Sequence, residues 1–259
     1  MGPLVMPYGI VSDNMEMSEV FADYFSGIFV GVNPISPADH QLFEGVMDPL
    51  TISYDNVRRL LLELDAASAS GPDGVHSLVL KSCATALAYP LCIIFRQSLN
   101  SASLPREWKR SIVIPIFSSG MWRIPKSYRP VSLTSICCKT MERIAGSHSV
   151  EYLESNGLLS ANQFGFRSGR STEDQLIIFY GNILRWVDKG FVVDVVFMDF
   201  SKAFDLVLHT LLIDKLRLLG FDSALVNWIE SFLVGCTMSV SVSGELSSER
   251  SVNSGVPQV

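Results

Sequence analysis

The run FVVDVVFMDFSKAFDLVLHTLLIDKLRLLGF at residues 191–221 constrains this chain more than any other stretch. Its first eight residues are almost continuously β-branched or aromatic, which predicts a strand buried on both faces, ending on an acid, Asp199. A second acid, Asp205, follows within the next turn. Between them Ser201 is the expected helix N-cap, and Leu211, Leu212, Leu216 and Leu219 recur at helical spacing until Gly220 stops them. The unit reads strand, acidic turn, helix. An acid at the tip of a buried strand is held rigidly, which suits a metal-binding carboxylate. The same placement serves a turn or a helix start, and spacing alone leaves both readings open.

Around this unit, 259 residues with 48% hydrophobic content can bury one large core or two modest ones. The uncharged runs at 82–95 and 231–244 are too short or too polar to cross a bilayer, and no basic segment precedes an apolar core at the N-terminus. The expectation is an intracellular protein, not secreted and with no membrane partner. The five cysteines form no CxxC and no zinc-type Cys/His spacing, and their odd number argues against a disulfide framework. Reduced, buried thiols are expected.

The net charge of −6 hides an asymmetry. Residues 1–95 carry −8, whereas residues 96–143 hold nine basic and two acidic groups, for +7. Lys109, Arg110, Arg123, Lys126 and Arg129 lie in this block, interleaved with Trp108, Trp122 and Tyr128. Such a block can track a phosphate backbone and stack bases, or it can be a solvated basic face.

Along the chain, Ser18 is the expected cap of a helix carrying Phe21, Phe25, Ile28 and Phe29, broken by Asn33-Pro34 to Pro37. Ser53 opens another with Val57, Leu60, Leu61 and Leu64 inward. The small-residue segment 66–74 is a turn or linker, so residues 1–65 read as a helical approach. Residues 76–99 are helical with an interruption expected at Pro90, and 111–116 form a short strand. A helix through Met141 to Leu153 follows, then one capped by Ser171 with Asp174 at its third position. Residues 224–233 are helical, and Met238, Val240 and Val242 alternate with serines as in a half-buried strand.

Six segments in order, SGPDG (70–74), LPREWK (104–109), SYRPVSLTS (127–135), QFGFRSGRST (163–172), FMDFSKAFD (197–205) and SGVPQ (254–258), resemble reverse transcriptases of LINE-type, non-LTR retrotransposons, of the jockey-like kind. The resemblance implies an α/β (α+β), helix-rich, right-hand polymerase fold. Residues 66–190 would be fingers-like and 191–259 a partial palm with an antiparallel sheet holding the Asp199 strand. It implies template-directed dNTP addition to a primer 3′-hydroxyl, with RNA template and DNA primer or an RNA/DNA hybrid as partners and two Mg2+ ions as cofactors. By that resemblance Asp199 is the catalytic, metal-binding carboxylate, and Phe204 excludes a 2′-hydroxyl. Asp205 and Gln258 lie beside the nucleotide, and Arg129, Arg167 and Arg170 grip its phosphates, for which a planar guanidinium is suited. Arg123, Lys126, Lys109 and Arg110 would contact nucleic acid.

The departures from the pattern are also informative. Ser118 stands where a lysine is common, LVLH at 206–209 where Thr-Val-Pro-His is usual, Cys236 where an arginine is common, and Val259 where a glycine is expected. The chain is read as an N-terminal fragment ending before an Ala-Asp-Asp motif, and so as inactive in polymerisation by itself. The alternative is a non-catalytic nucleic-acid-binding remnant of a transposon.

Overall fold

Side-chain caps fix where most helices begin. In the computed structural model, which describes residues 1–29 and 43–256, Asp13 accepts from the Glu16 amide to open α1 (Asn14–Ser26). Ser53 accepts from Asn56 to open α2 (Tyr54–Glu63). Each satisfies an amide that the first helical turn leaves unpaired. Because Asp13 captures the start, Ser18 is not the cap; it is buried inside α1, its hydroxyl donating to the Met15 carbonyl at 2.7 Å. The break expected at Asn33-Pro34 lies outside the described residues.

The helical stretch after the 66–74 segment divides into α3 (Ser77–Ser82) and α4 (Ala84–Ser101). The division falls at Cys83, not at Pro90. Pro90 sits exposed inside α4, where its missing N–H removes one bond without breaking the helix. Further along come α5 (Ile136–Ser155), α6 (Thr172–Val187), α7 (His209–Leu218) and α8 (Ser223–Leu233). Ser171 accepts from Asp174 N and donates to its carboxylate at 2.8 Å, as its spacing predicts. Ser201 does not cap α7, which begins after a turn spanning 201–206.

Strands β1 (Leu4–Met6) and β2 (Gly9–Val11) form a hairpin. The main sheet consists of β3 (Arg110–Phe117), β4 (Tyr128–Leu133), β5 (Cys236–Val242), β6 (Glu245–Leu246) and β7 (Arg250–Val252). Its order is β4-β3-β5-β6, with β7 also on β5. β3 pairs antiparallel with β4 but parallel with β5, so the sheet is mixed. α1 lies on it: Phe21 and Phe25 are buried with Val113, Tyr128, Met238 and Val240. Phe21 meets Tyr128 edge-on at 5.0 Å. At roughly 2 kcal/mol for each fully buried large apolar side chain, these two rings anchor α1 firmly to the sheet.

A second apolar cluster joins α2, α4 and α8. Trp228 is buried there with its indole N–H donating to Ser98 Oγ at 3.0 Å. Phe95 packs edge-on against Trp108 at 5.9 Å. Of the thiols, Cys92, Cys137 and Cys138 are buried, Cys236 is half-buried and Cys83 is exposed; all are free. Burial pushes Cys137 up to about 11, so it stays a thiol at neutral pH.

The chain divides into two compact units, Met1–Ala145 with Lys202–Val259, and Gly146–Ser201. The Gly71–Gly74 turn lies inside the first unit, where Gly71 approaches the Thr134 backbone so closely that a Cβ would sit 2.4 Å from its carbonyl oxygen.

The largest correction concerns residues 191–198. They form no strand, and Val192, Phe197 and Met198 are more than 80% exposed. The run begins as the cap of α6: Gly190 takes a left-handed φ of +81°, Phe191 N bonds back to the Trp186 carbonyl, and the two rings meet at 5.5 Å. Beyond that, β-branched residues favour extended backbone, but a strand needs a neighbour's hydrogen bonds, and no described strand pairs with this run.

Candidate functional site

The first unit brings together two segments that lie about fifty residues apart in sequence, and glycine makes the approach possible. Gly255 N donates to the Val207 carbonyl at 2.8 Å, and Val256 N to Phe204 O at 3.0 Å. Ser254 Oγ donates to Asp205 O at 2.8 Å, and His209 Nε2 is 2.7 Å from Gly255 O. Gly255 has φ +86°, and a Cβ there would meet Asp205 Cα and O at 2.9 Å. Only a residue without a side chain fits both the conformation and the contact.

Asp205 of this join also lines a cleft of about 250 Å3 between the β3–β4 hairpin, the end of α1 and the turn at 202–205. Its polar wall carries Ser118, Ser119, Lys126, Arg129, Lys202 and Asp205. Lys126 and Arg129 have no carboxylate partner among the described residues. Asp205 also borders an apolar cavity lined by Phe25, Ile28 and Val256. Desolvation there raises its carboxyl above the usual range, and the Lys202 ammonium partly offsets this. Three cations against one acid give the cleft a net positive lining.

Arg129 and Asp205 thus share one cleft, as does Lys126. Phe204 lies beside them in sequence, 38% exposed, its carbonyl taken by Val256. Gln258 lies outside the described residues. Lys202, Ser118 and Ser119 did not emerge as candidates from sequence reasoning. Lys202 stands between the two motif acids, but nothing in the pattern says that its turn faces the hairpin.

The other basic residues are largely committed within the fold. Lys109 donates to the Val234 carbonyl at 3.1 Å, Arg110 pairs with Glu249, and the Arg123 guanidinium stacks 4.6 Å from the Trp122 ring centre. Trp108 and Tyr128, which the sequence offers as candidates for base stacking, are buried, with the Tyr128 hydroxyl donating to Trp122 O at 2.6 Å. Of the three aromatics only Trp122, 42% exposed, is open to a base.

In the second unit, Arg167 is a strut. It grips both oxygens of Glu154, with Nε donating at 2.7 Å, and Nη1 reaches Ser160 O at 2.6 Å. Its hydrogen bonds hold the Glu154 carboxyl below the usual range. Glu173 and Asp174, the acids nearer to it in sequence, are not its ion-pair partners among the described residues. Arg170 lies over the Phe164 ring at 5.2 Å and, with the first turn of α6, lines an open pocket. Its charge therefore adds to that of the helix N-terminus.

Asp199 is exposed, on backbone without helix or strand, and belongs to the second unit. Among the described residues no group of three His, Cys, Asp or Glu side chains could hold a metal ion. Magnesium takes about six oxygens in near-octahedral geometry, so an isolated exposed carboxylate does not fit it. No described helix is long and apolar enough to cross a membrane.

Comparison with known proteins identifies the family. Residues 114–258, which carry the hairpin, the 202–209 turn and the 254–256 segment, match the model for reverse transcriptase (RNA-dependent DNA polymerase). The chain belongs to the reverse transcriptase family. Within the family its similarity is to jockey-like enzymes of LINE-type transposons. It is 27% identical over 99% of its length to a probable RNA-directed DNA polymerase from transposon BS of Drosophila melanogaster. It is 29% identical over 95% of its length to the RNA-directed DNA polymerase from mobile element jockey of the same species. The chain spans 29% and 28% of the length of these two relatives. The mixed helix-and-sheet architecture described above is consistent with that family.

Proposed function

We propose that this chain forms the nucleotide-handling part of an RNA-directed DNA polymerase, in which a dNTP is added to a primer 3′-hydroxyl on an RNA template. The observation that carries the reading is the cleft in which Arg129, Lys126 and Lys202 face Asp205 beside the Gly255 join. A triphosphate needs several converging cations, and guanidinium donates to it bidentately. In the finer reading, residues 66–190 serve as fingers and 191–259 as part of a palm, in an intracellular protein. Phe204 excludes a 2′-hydroxyl, and Gln258 stands beside the base. Asp199 enters as the carboxylate to be tested; since the described residues do not fit a metal ion, no step is routed through magnesium.

The test is equilibrium binding of dATP to the 259-residue chain, together with primer extension by a chain lengthened to match its relatives. The proposal expects Arg129→Ala to weaken dATP binding and Asp199→Asn to abolish extension while leaving binding in place. Extension that survives Asp199→Asn would refute the assignment of that residue.

The exposed Trp122–Arg123 pair on the hairpin supports a second reading, a nucleic-acid-binding module without catalysis. Salt-dependent RNA binding by a chain that fails to bind dATP would favour it.

A further inference from the structure

The run that follows α6 has the makings of a strand and no neighbour to pair with. Five of the seven residues 192–198 are valine or phenylalanine, types that favour extended backbone, and proline and glycine are absent from the run. From Val192 to Phe200 no backbone amide or carbonyl is hydrogen-bonded among the described residues, so the run is open to another strand. Ring contacts tether it to α6, Phe191 against Trp186 at 5.5 Å and Phe197 against Phe179 at 5.7 Å. Ordering it on a partner therefore costs less than ordering a free tail. Val192, Val195, Val196, Phe197, Met198 and Phe200 are 41% to 93% exposed. Together they leave on the order of 800 Å2 of surface in water, which is what one partner brings to a stable interface.

We propose that residues 192–198 are a dimerisation strand, pairing antiparallel with the same residues of a second copy of this chain, with Val195 on the two-fold axis. This pairing is independent of the nucleotide reading above. A two-fold axis through an antiparallel pair makes one residue face itself and sets every other residue against its mirror position. Centring on Asp194 sets carboxylate against carboxylate, which opposes pairing. Centring on Val195 sets each Asp194 against Val196, and Val192 against Met198. It also places Lys189, whose ammonium lies 5.2 Å from the Trp186 ring centre, diagonally across from the second copy's Asp199. Centring on Val196 loses that charge pairing. A second copy thus supplies the apolar cover, the missing ladder and the opposite charge at once.

The experiment is sedimentation velocity of the 259-residue chain over a concentration series, with circular dichroism of each variant as the check on folding. Wild type should pass from monomer to dimer and no further. Val195→Lys and Val196→Lys remove the same side chain and add the same charge one residue apart. Val195→Lys sets ammonium against ammonium on the axis and should weaken the dimer by about tenfold. Val196→Lys sets each ammonium against the second copy's Asp194 and should keep or tighten it. Hydrogen exchange should slow with rising concentration at alternate amides of 192–198, as an antiparallel ladder requires and loose apolar contact does not. A wild-type chain that stays monomeric overturns the proposal. Equal weakening by the two lysines would reveal undirected apolar contact, and an undiminished dimer in both would place the interface elsewhere; either overturns it. Assembly that grows beyond the dimer overturns it as well, because a two-fold pair is closed.

Discussion

Gly255→Ala should break the join at the cleft, and its cost can be worked from the coordinates. At φ +86° an alanine pays a left-handed penalty of about 1 to 2 kcal/mol. Its Cβ would also lie 2.9 Å from Asp205 Cα and O and 3.0 Å from Phe204 O, all backbone atoms that cannot rotate away. The 204–207 segment must therefore move. Four hydrogen bonds span the join, through Ser254, Gly255 twice and Val256. If two of them are lost at about 1 kcal/mol each, the total is about 3 to 4 kcal/mol. Gly244→Ala is the control: it has φ +94° but nothing within 4 Å of its Cβ, so it pays only the conformational penalty. The assay is amide exchange at Val256 together with urea unfolding followed by tryptophan fluorescence. Gly255→Ala should accelerate Val256 exchange and lower stability by about 2 kcal/mol more than Gly244→Ala does. Equal losses in the two variants, or unchanged exchange at Val256, would refute the claim that close approach holds the join.

Three other outcomes follow from charged groups. Glu142 has Oε1 sealed from water without a hydrogen-bond partner among the described residues, and burial raises its pKa above the ordinary 4.5, against pulls from Cys138 and Lys139. The ionised form therefore costs stability above its folded pKa, a cost relieved as pH falls through that value. Glu142→Gln should accordingly be more stable than wild type at neutral pH, and the advantage should vanish below about pH 4.5 in urea titrations at several pH values. Arg167→Met should speed amide exchange across residues 156–170 by freeing Glu154 and Ser160 O, whereas Arg170→Met, which loses only a long 3.4 Å bond to Ala161 O, should speed it much less. For RNA, neutralising Arg123, Lys126 and Arg129 together should flatten the salt dependence of binding by about 1 unit in log–log slope, since Lys126 and Arg129 serve the nucleotide cleft, whereas a drop of about 3 units would assign all three to backbone phosphates and favour the second reading.

Local rules were legible in the residues. Ser53 and Ser171 cap helices because their hydroxyls reach amides three positions ahead, and the alternation of Met238, Val240 and Val242 fixes which face of β5 is buried. Gly220 stops α7 with a left-handed φ of +75°, as its place after the last leucine implies. The family motifs, being contiguous strings, were readable in the same way. The site was only half legible: Arg129 and Asp205 could be named, but their convergence with Lys202 depends on how a hairpin, a turn and α1 pack together.

What tertiary structure alone decided are the partnerships between distant segments. Arg167 chose Glu154 over the nearer Glu173 and Asp174, and Trp108 and Tyr128 went into the core in place of a stacking surface. The 191–198 run has strand composition yet no strand beside it. A helix closes its hydrogen bonds within four residues and a cap within three, so a sequence window contains both partners. A strand pair, an ion pair across a loop and a glycine pressed on a distant backbone each need a second segment whose position the first does not encode.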